Sequence, residues 1–219
     1  MENNKAYIKM MEEQYFNLLE LEVDELVNDI NKSKRTFSFI SDRYFSTASR
    51  YLSFNFKKVD KKVSSQLKIY ADIIERLQKL EGMPMSEEAQ QKVYNMSMKL
   101  LGPAIKFGYC DEACDLLKIV KNPNINKMFS DANVSSALLK VIENYGKRAI
   151  LEENPKFKEK VDSVIVDVVA GEYGEDTKQA LTMEKMEKAY ANASVVRGDM
   201  VFHMDGTHEW VDEAKKKTK

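Results

Sequence analysis

A mainly α-helical fold, a multi-helix bundle or a short α-solenoid ending in a C-terminal β-hairpin, is what the sequence predicts. Three observations carry that expectation. Through most of the 219 residues, apolar positions recur at steps of three and four, the repeat of one helix face. Ser, Asn and Asp caps, with a sparse set of 8 Gly and 4 Pro, punctuate the chain at helix-length intervals. Near the C-terminus, around Asp205-Gly206, the apolar period falls to two.

A first helix is expected over 5–31, where Ile8, Met11, Tyr15, Leu18, Leu19, Val23, Leu26, Val27 and Ile30 form one stripe and Asn3 or Asn4 caps the start. Over 36–56, aromatic residues mix with Ser and Thr, which compete for backbone hydrogen bonds, so short helices or irregular structure are expected. Val63, Leu67, Tyr70, Ile74 and Leu77 alternate steps of four and three, a seam for antiparallel or coiled-coil packing that Gly82 and Pro84 stop. Ser86 caps the next helix, with Glu87 and Glu88 at its positive end, and it is expected to run to Gly102-Pro103. A short helical turn should follow before Gly108. Asp111 is read as the cap of a helix reaching Asn122-Pro123, and Asp131 as the cap of another ending at Gly146, with Val134, Leu138, Val141, Ile142 and Tyr145 along its stripe.

Asn154-Pro155 opens a further helix through Val161, Val164, Ile165 and Val168, favoured over a strand despite the β-branched residues because of its spacing and cap. Gly171 to Gly174 forms an internal linker before a helix over about 177–192. Asp205-Gly206, taken as a two-residue hairpin loop, sets His203 opposite His208 and Val201 opposite Trp210. Three regions follow: an acidic helix with a basic, aromatic segment (1–62), a helical core (63–170), and a linker, helix, hairpin and basic tail (171–219).

Charge adds an asymmetry that the net value of −1 conceals. Seven acids and no bases lie between Glu12 and Asp29, whereas 32–62 holds nine bases against Asp42 and Asp60. The acidic element is expected to fold against the basic one, within the chain or in a neighbouring subunit, or else the basic segment serves an outside polyanion. In the second case Lys34, Arg35, Arg43, Arg50, Lys57, Lys58, Lys61 and Lys62 would meet DNA or RNA phosphate, with the interleaved aromatics stacking on bases.

Other chemistry finds little support. Cys110 and Cys114 underfill a zinc site and are expected as small core residues. His203 and His208 lack an evident third ligand, and Arg197-Gly198-Asp199 reads as a turn. No glycine-rich phosphate loop, nucleophile elbow or paired-histidine helix motif occurs, so neither catalytic residues, metal nor cofactor are expected. No run exceeds three consecutive apolar residues, which excludes a membrane-spanning helix and the apolar core of a secretory signal. Two cysteines cannot build a disulfide framework, so a reducing, cytoplasmic setting is expected.

The expected role is therefore non-enzymatic: a helical assembly or adaptor protein acting by self-association or as a subunit of a larger complex. Leu67, Tyr70, Ile74, Leu77, Phe202 and Trp210 are the residues expected to carry assembly. Nucleic-acid binding through 32–62 is the alternative. In architecture alone the layout is similar to viral DNA-packaging small subunits and to the helical adaptor rings of virus tails, which would place the protein in a virus particle or the host cytoplasm.

Overall fold

The apolar repeat folds into eight helices and three strands among the described residues. The computed structural model describes residues 2–43, 53–81, 83, 85–121, 131–152, 154–212 and 214. The elements are α1 (Glu2–Arg43), α2 (Ser53–Glu81), α3 (Glu87–Phe107), α4 (Cys110–Lys121), α5 (Asp131–Glu152), α6 (Lys156–Ala170), α7 (Glu175–Ala180) and α8 (Met183–Ala191), then β1 (Ser194–Arg197), β2 (Met200–His203) and β3 (His208–Trp210). No helix among the described residues is long and apolar enough to cross a membrane.

The α4 helix sits at the centre. Seven of its twelve residues are buried, and it packs on α2, α3 and α5. In turn α5 touches α3, α6, α7, α8 and β1. A hub of this kind is a bundle, since a solenoid repeat meets its neighbours alone. Tyr70, Ile74 and Leu77 of the expected seam are buried in this chain's own core, and Leu67 is partly buried against it. The Tyr70 hydroxyl donates to the Leu100 carbonyl, and its ring meets Tyr109 edge-on at 5.9 Å. The Asp29–Gln66 and Glu22–Arg76 contacts run α1 antiparallel to α2, whereas Asn17–Lys92 and Asp24–Lys99 run it parallel to α3.

Several helix boundaries differ from expectation, each for a physical reason. The first helix begins at Glu2, upstream of its expected Asn caps, and continues to Arg43; α2 begins at Ser53, ten residues before Val63. No Gly or Pro lies between 31 and 81, and Ser, Thr and aromatic residues cost a nucleated helix less than about 0.7 kcal/mol each. Likewise α3 passes through Gly102-Pro103 to Phe107. A residue before proline resists helical geometry because its Cβ meets the proline ring, and Gly102 has no Cβ. Gly108, at φ 70°, ends the helix with its N–H directed to the Ala104 and Ile105 carbonyls.

Nor does Gly146 stop α5. It lies inside that helix because a Cβ there would sit 2.5 Å from the Ala193 Cβ and 2.8 Å from the Tyr190 carbonyl oxygen. Asp111 lies in the first turn of α4 rather than capping it, since its carboxylate is engaged by Tyr145 and Lys160. The expected helix 177–192 is broken in two at buried, extended Leu181, after which Thr182 caps α8 by accepting from the Lys185 N–H. Ser86 caps α3 as expected, and 161–168 is helical. Gly82, Pro84, Asn122 and Pro123 lie outside the described residues.

At the C-terminus the expected two-stranded hairpin is a three-stranded antiparallel sheet ordered β1-β2-β3, with β1 packed on α5 and α1. The third strand supplies the pairing that an isolated hairpin lacks in water. Gly198-Asp199 forms the two-residue turn between β1 and β2. The second turn is one residue longer than expected: His203 N–H donates to the Thr207 carbonyl, leaving Met204-Asp205-Gly206 as a three-residue loop with Gly206 at φ 82°. Asp205 holds this loop by accepting from both the N–H and the hydroxyl of Thr207. Phe202 consequently pairs with His208 and Met200 with Trp210. One residue of slip carries all of β3 to the opposite face.

Ile74→Ala should destabilise the fold by about 2–5 kcal/mol, and Leu67→Ala by less, as judged from denaturant unfolding. Gly146→Ala should cost about 1–3 kcal/mol through overpacking against Ala193, opposite in sign to the gain alanine brings at an unobstructed helical glycine. A raised unfolding midpoint for Gly146→Ala would show that α8 does not approach α5 so closely.

Candidate functional site

Three groups of residues hold the chemistry of the described chain: a part-buried polar cluster along α4, the sheet histidines, and the outer face of α1. Cys110 and Cys114 face inward one helical turn apart, and burial pushes each thiol up to about 12. Tyr145 and Tyr173 bring their hydroxyls toward Cys114. Burial, followed by the neighbouring Cys114, raises both phenols well above their usual range. Tyr145 donates to Asp111 at 2.6 Å, and Lys160 lies 3.2 Å from that carboxylate. Nearby, Lys118 pairs with Asp167 at 2.8 Å, and the Arg148 guanidinium lies 4.6 Å from the centre of the Phe157 ring. The dry environment that raises these thiols also suppresses their nucleophilicity, and the polar contacts around them tie α4 to α5 and α6.

The longer hairpin loop separates the two histidines. His203 shares a face with Val201 and Glu209, and its Nε2 lies 3.2 Å from Glu209 Oε1. His208 lies on the opposite face with its ring 6.0 Å from that of Phe202. The cross-strand histidine pair expected from a two-residue loop therefore does not form. No group of three His, Cys, Asp or Glu side chains among the described residues is placed to hold a metal ion. Phe202 and Trp210, assigned to opposite faces by that expectation, lie on one face: Phe202 half-buried and Trp210 exposed.

Among the described residues, acids of α1 pair with α2 and α3. Glu22 pairs with Arg76, Glu20 with Lys92 at 3.8 Å and Asp24 with Lys99 at 2.7 Å, while Asp29 accepts from Gln66. These partners come from α2 and from α3. Part-exposed pairs of this kind contribute up to about 1 kcal/mol each, so they align helices more than they hold them together. Lys32 is exposed. Lys34, Arg35 and Arg43 belong to α1 and Lys57, Lys58, Lys61 and Lys62 to α2, but their side chains, and Arg50 altogether, lie outside the described residues.

One surface has no counterpart in the expected sites. Phe16, Leu19, Val23, Leu26 and Ile30 bury one stripe of α1, yet Met10, Met11, Tyr15, Leu18 and Leu21 stand exposed, the two leucines by 62% and 61%. Met11, Tyr15 and Leu18 were expected in the buried stripe; at about 100° per residue they lie roughly 90° away from it. The signal was present in the sequence as an apolar arc too wide for one packed face. Glu12, Glu13 and Glu25 border this surface, exposed and without an ion partner among the described residues.

In the native protein neither cysteine should react with an aromatic disulfide reagent at pH 8, where about one thiol in ten thousand would be ionised. Both should react after denaturation in guanidinium. Rapid native labelling of Cys114 would contradict the burial described.

No protein-family model, curated protein or solved structure matches the chain.

Proposed function

We propose that this is a non-enzymatic helical assembly protein that works by self-association, with the outer face of α1 as its contact surface. A single observation carries the reading: five large apolar side chains stand exposed on α1, whose stripe from Phe16 to Ile30 is buried in the core. Burying one such leucine or methionine stabilises by about 1.5–3 kcal/mol, and contiguous exposed apolar surface is characteristic of a binding face. Exposed Val196 and Trp210 on the C-terminal sheet add apolar area beyond α1.

Light scattering over a range of concentrations tests this. The wild-type mass should exceed the 25.3 kDa of one chain. Leu18→Asp with Leu21→Asp should return it to that value without lowering the melting temperature, since neither side chain belongs to the core. A wild-type chain that stays monomeric throughout, or a variant that assembles like wild type, would overturn the proposal.

A further inference from the structure

We infer that two copies of this chain pair antiparallel along the outer stripe of α1 and close into a two-chain assembly, Leu18 of each copy lying on Leu21 of the other. This rests on the self-association reading and names the partner and the geometry of the same surface. Met11, Gln14, Leu18, Leu21, Glu25 and Asn28 follow one another at alternating steps of three and four, and each is exposed. At about 100° per residue, this stripe stands roughly 150° around the helix from the buried one that runs from Phe16 to Ile30. Alternating steps of that kind form the seam by which one helix lies along another.

The make-up of the stripe selects the direction of pairing. Its N-terminal half is mainly apolar, whereas Glu25 and Asn28 make its C-terminal half polar. A parallel pair would set each residue against itself: Glu25 against Glu25 and, one step beyond, exposed Lys32 against Lys32. Antiparallel pairing centred between Leu18 and Leu21 removes both repulsions. Counting outward from that centre, Leu18 meets Leu21, Gln14 meets Glu25 and Met11 meets Asn28, each contact occurring twice by symmetry. The Gln14 side-chain N–H then donates to the Glu25 carboxylate. On the flanks Glu22 and Asp24, still paired with Arg76 and Lys99, come opposite the neutral Tyr15 and Asn17.

Gln14 also fixes the register. Sliding the helices until the two apolar halves overlap would lay Leu18 on Gln14 and bury both amides without a partner, a cost that the Leu18–Leu21 register avoids. Because both copies use the same stripe, the contact closes on a two-fold axis and leaves no free end for further growth.

Opposite charges placed at exposed Gln14 test the inference, after circular dichroism confirms unaltered melting. Its neighbours three and four residues away on α1 are Met10, Met11, Asn17 and Leu18, all uncharged, so an effect of charge there reports on the other copy. Wild type should reach a limiting mass of twice the 25.3 kDa of one chain in sedimentation equilibrium. At low salt the dissociation constant should fall about two- to thirtyfold for Gln14→Lys, which faces Glu25 twice, and rise by a similar factor for Gln14→Glu. Adding Glu25→Lys to Gln14→Glu should restore tight pairing, and high salt should erase all three changes. Weakening by both Gln14 substitutions would mean that this residue faces itself or an apolar side chain. That result, an unchanged affinity in both variants, or a mass beyond two chains would overturn the antiparallel pair while leaving self-association standing. A monomeric wild type would overturn both readings.

Discussion

The burial of α4 is the constraint on which the rest of this structure depends. A twelve-residue helix is marginal in water, and persists here because neighbouring helices cover seven of its side chains. Covering it requires α2, α3 and α5 to converge. Their convergence places α1 against α2 and α3, and leaves α5 to carry α6, α7, α8 and the sheet. The polar cluster on the outer edge of α4 follows from the same demand. Asp111, Tyr145 and Lys160 satisfy one another at the margin, and burial raises the carboxyls of Glu112 and Asp115 above their usual range. Ionising those two groups is disfavoured in the folded state, so they subtract stability as pH rises through the carboxylate range, and the loss is complete above their folded pKa values.

A helix covered on one side leaves its other side to the solvent or to another molecule, and α1 shows the consequence. Its inward stripe closes the core, its flanking acids set its angle to α2 and α3, and its outward apolar side chains have no covering element among the described residues. Those acids pair with Arg76, Lys92 and Lys99, which fixes α1 against α2 and α3.

The helical character of the chain was legible because apolar spacing is a local record of which face is buried. Ser86 and Thr182 show the same locality at helix starts: each accepts a backbone N–H three residues later, a contact that needs no tertiary partner. Glycine was harder to read. Gly108 and Gly146 are the same residue in sequence, yet the first ends a helix through positive φ and the second lies within one because Ala193 and Tyr190 press against it. Hairpin register was unreadable for a related reason: Asp205-Gly206 suits loops of two or three residues, and the shift between them reassigns every side chain of β3.

By itself, then, the sequence determined the mainly helical class, the place of the period change near residue 200, the inward position of Tyr70, Ile74 and Leu77, and the segregation of charge along the chain. Each is written in spacing or composition. Tertiary structure alone decided which of two apolar stripes on α1 would be covered, that Asp111 would answer Tyr145 and Lys160 instead of capping α4, and that His203 and His208 would lie on opposite faces of the sheet. Those outcomes depend on residues far apart in the chain competing for the same space and the same hydrogen bonds. The free energy that settles such a competition belongs to the packed arrangement and has no counterpart in any local stretch of sequence.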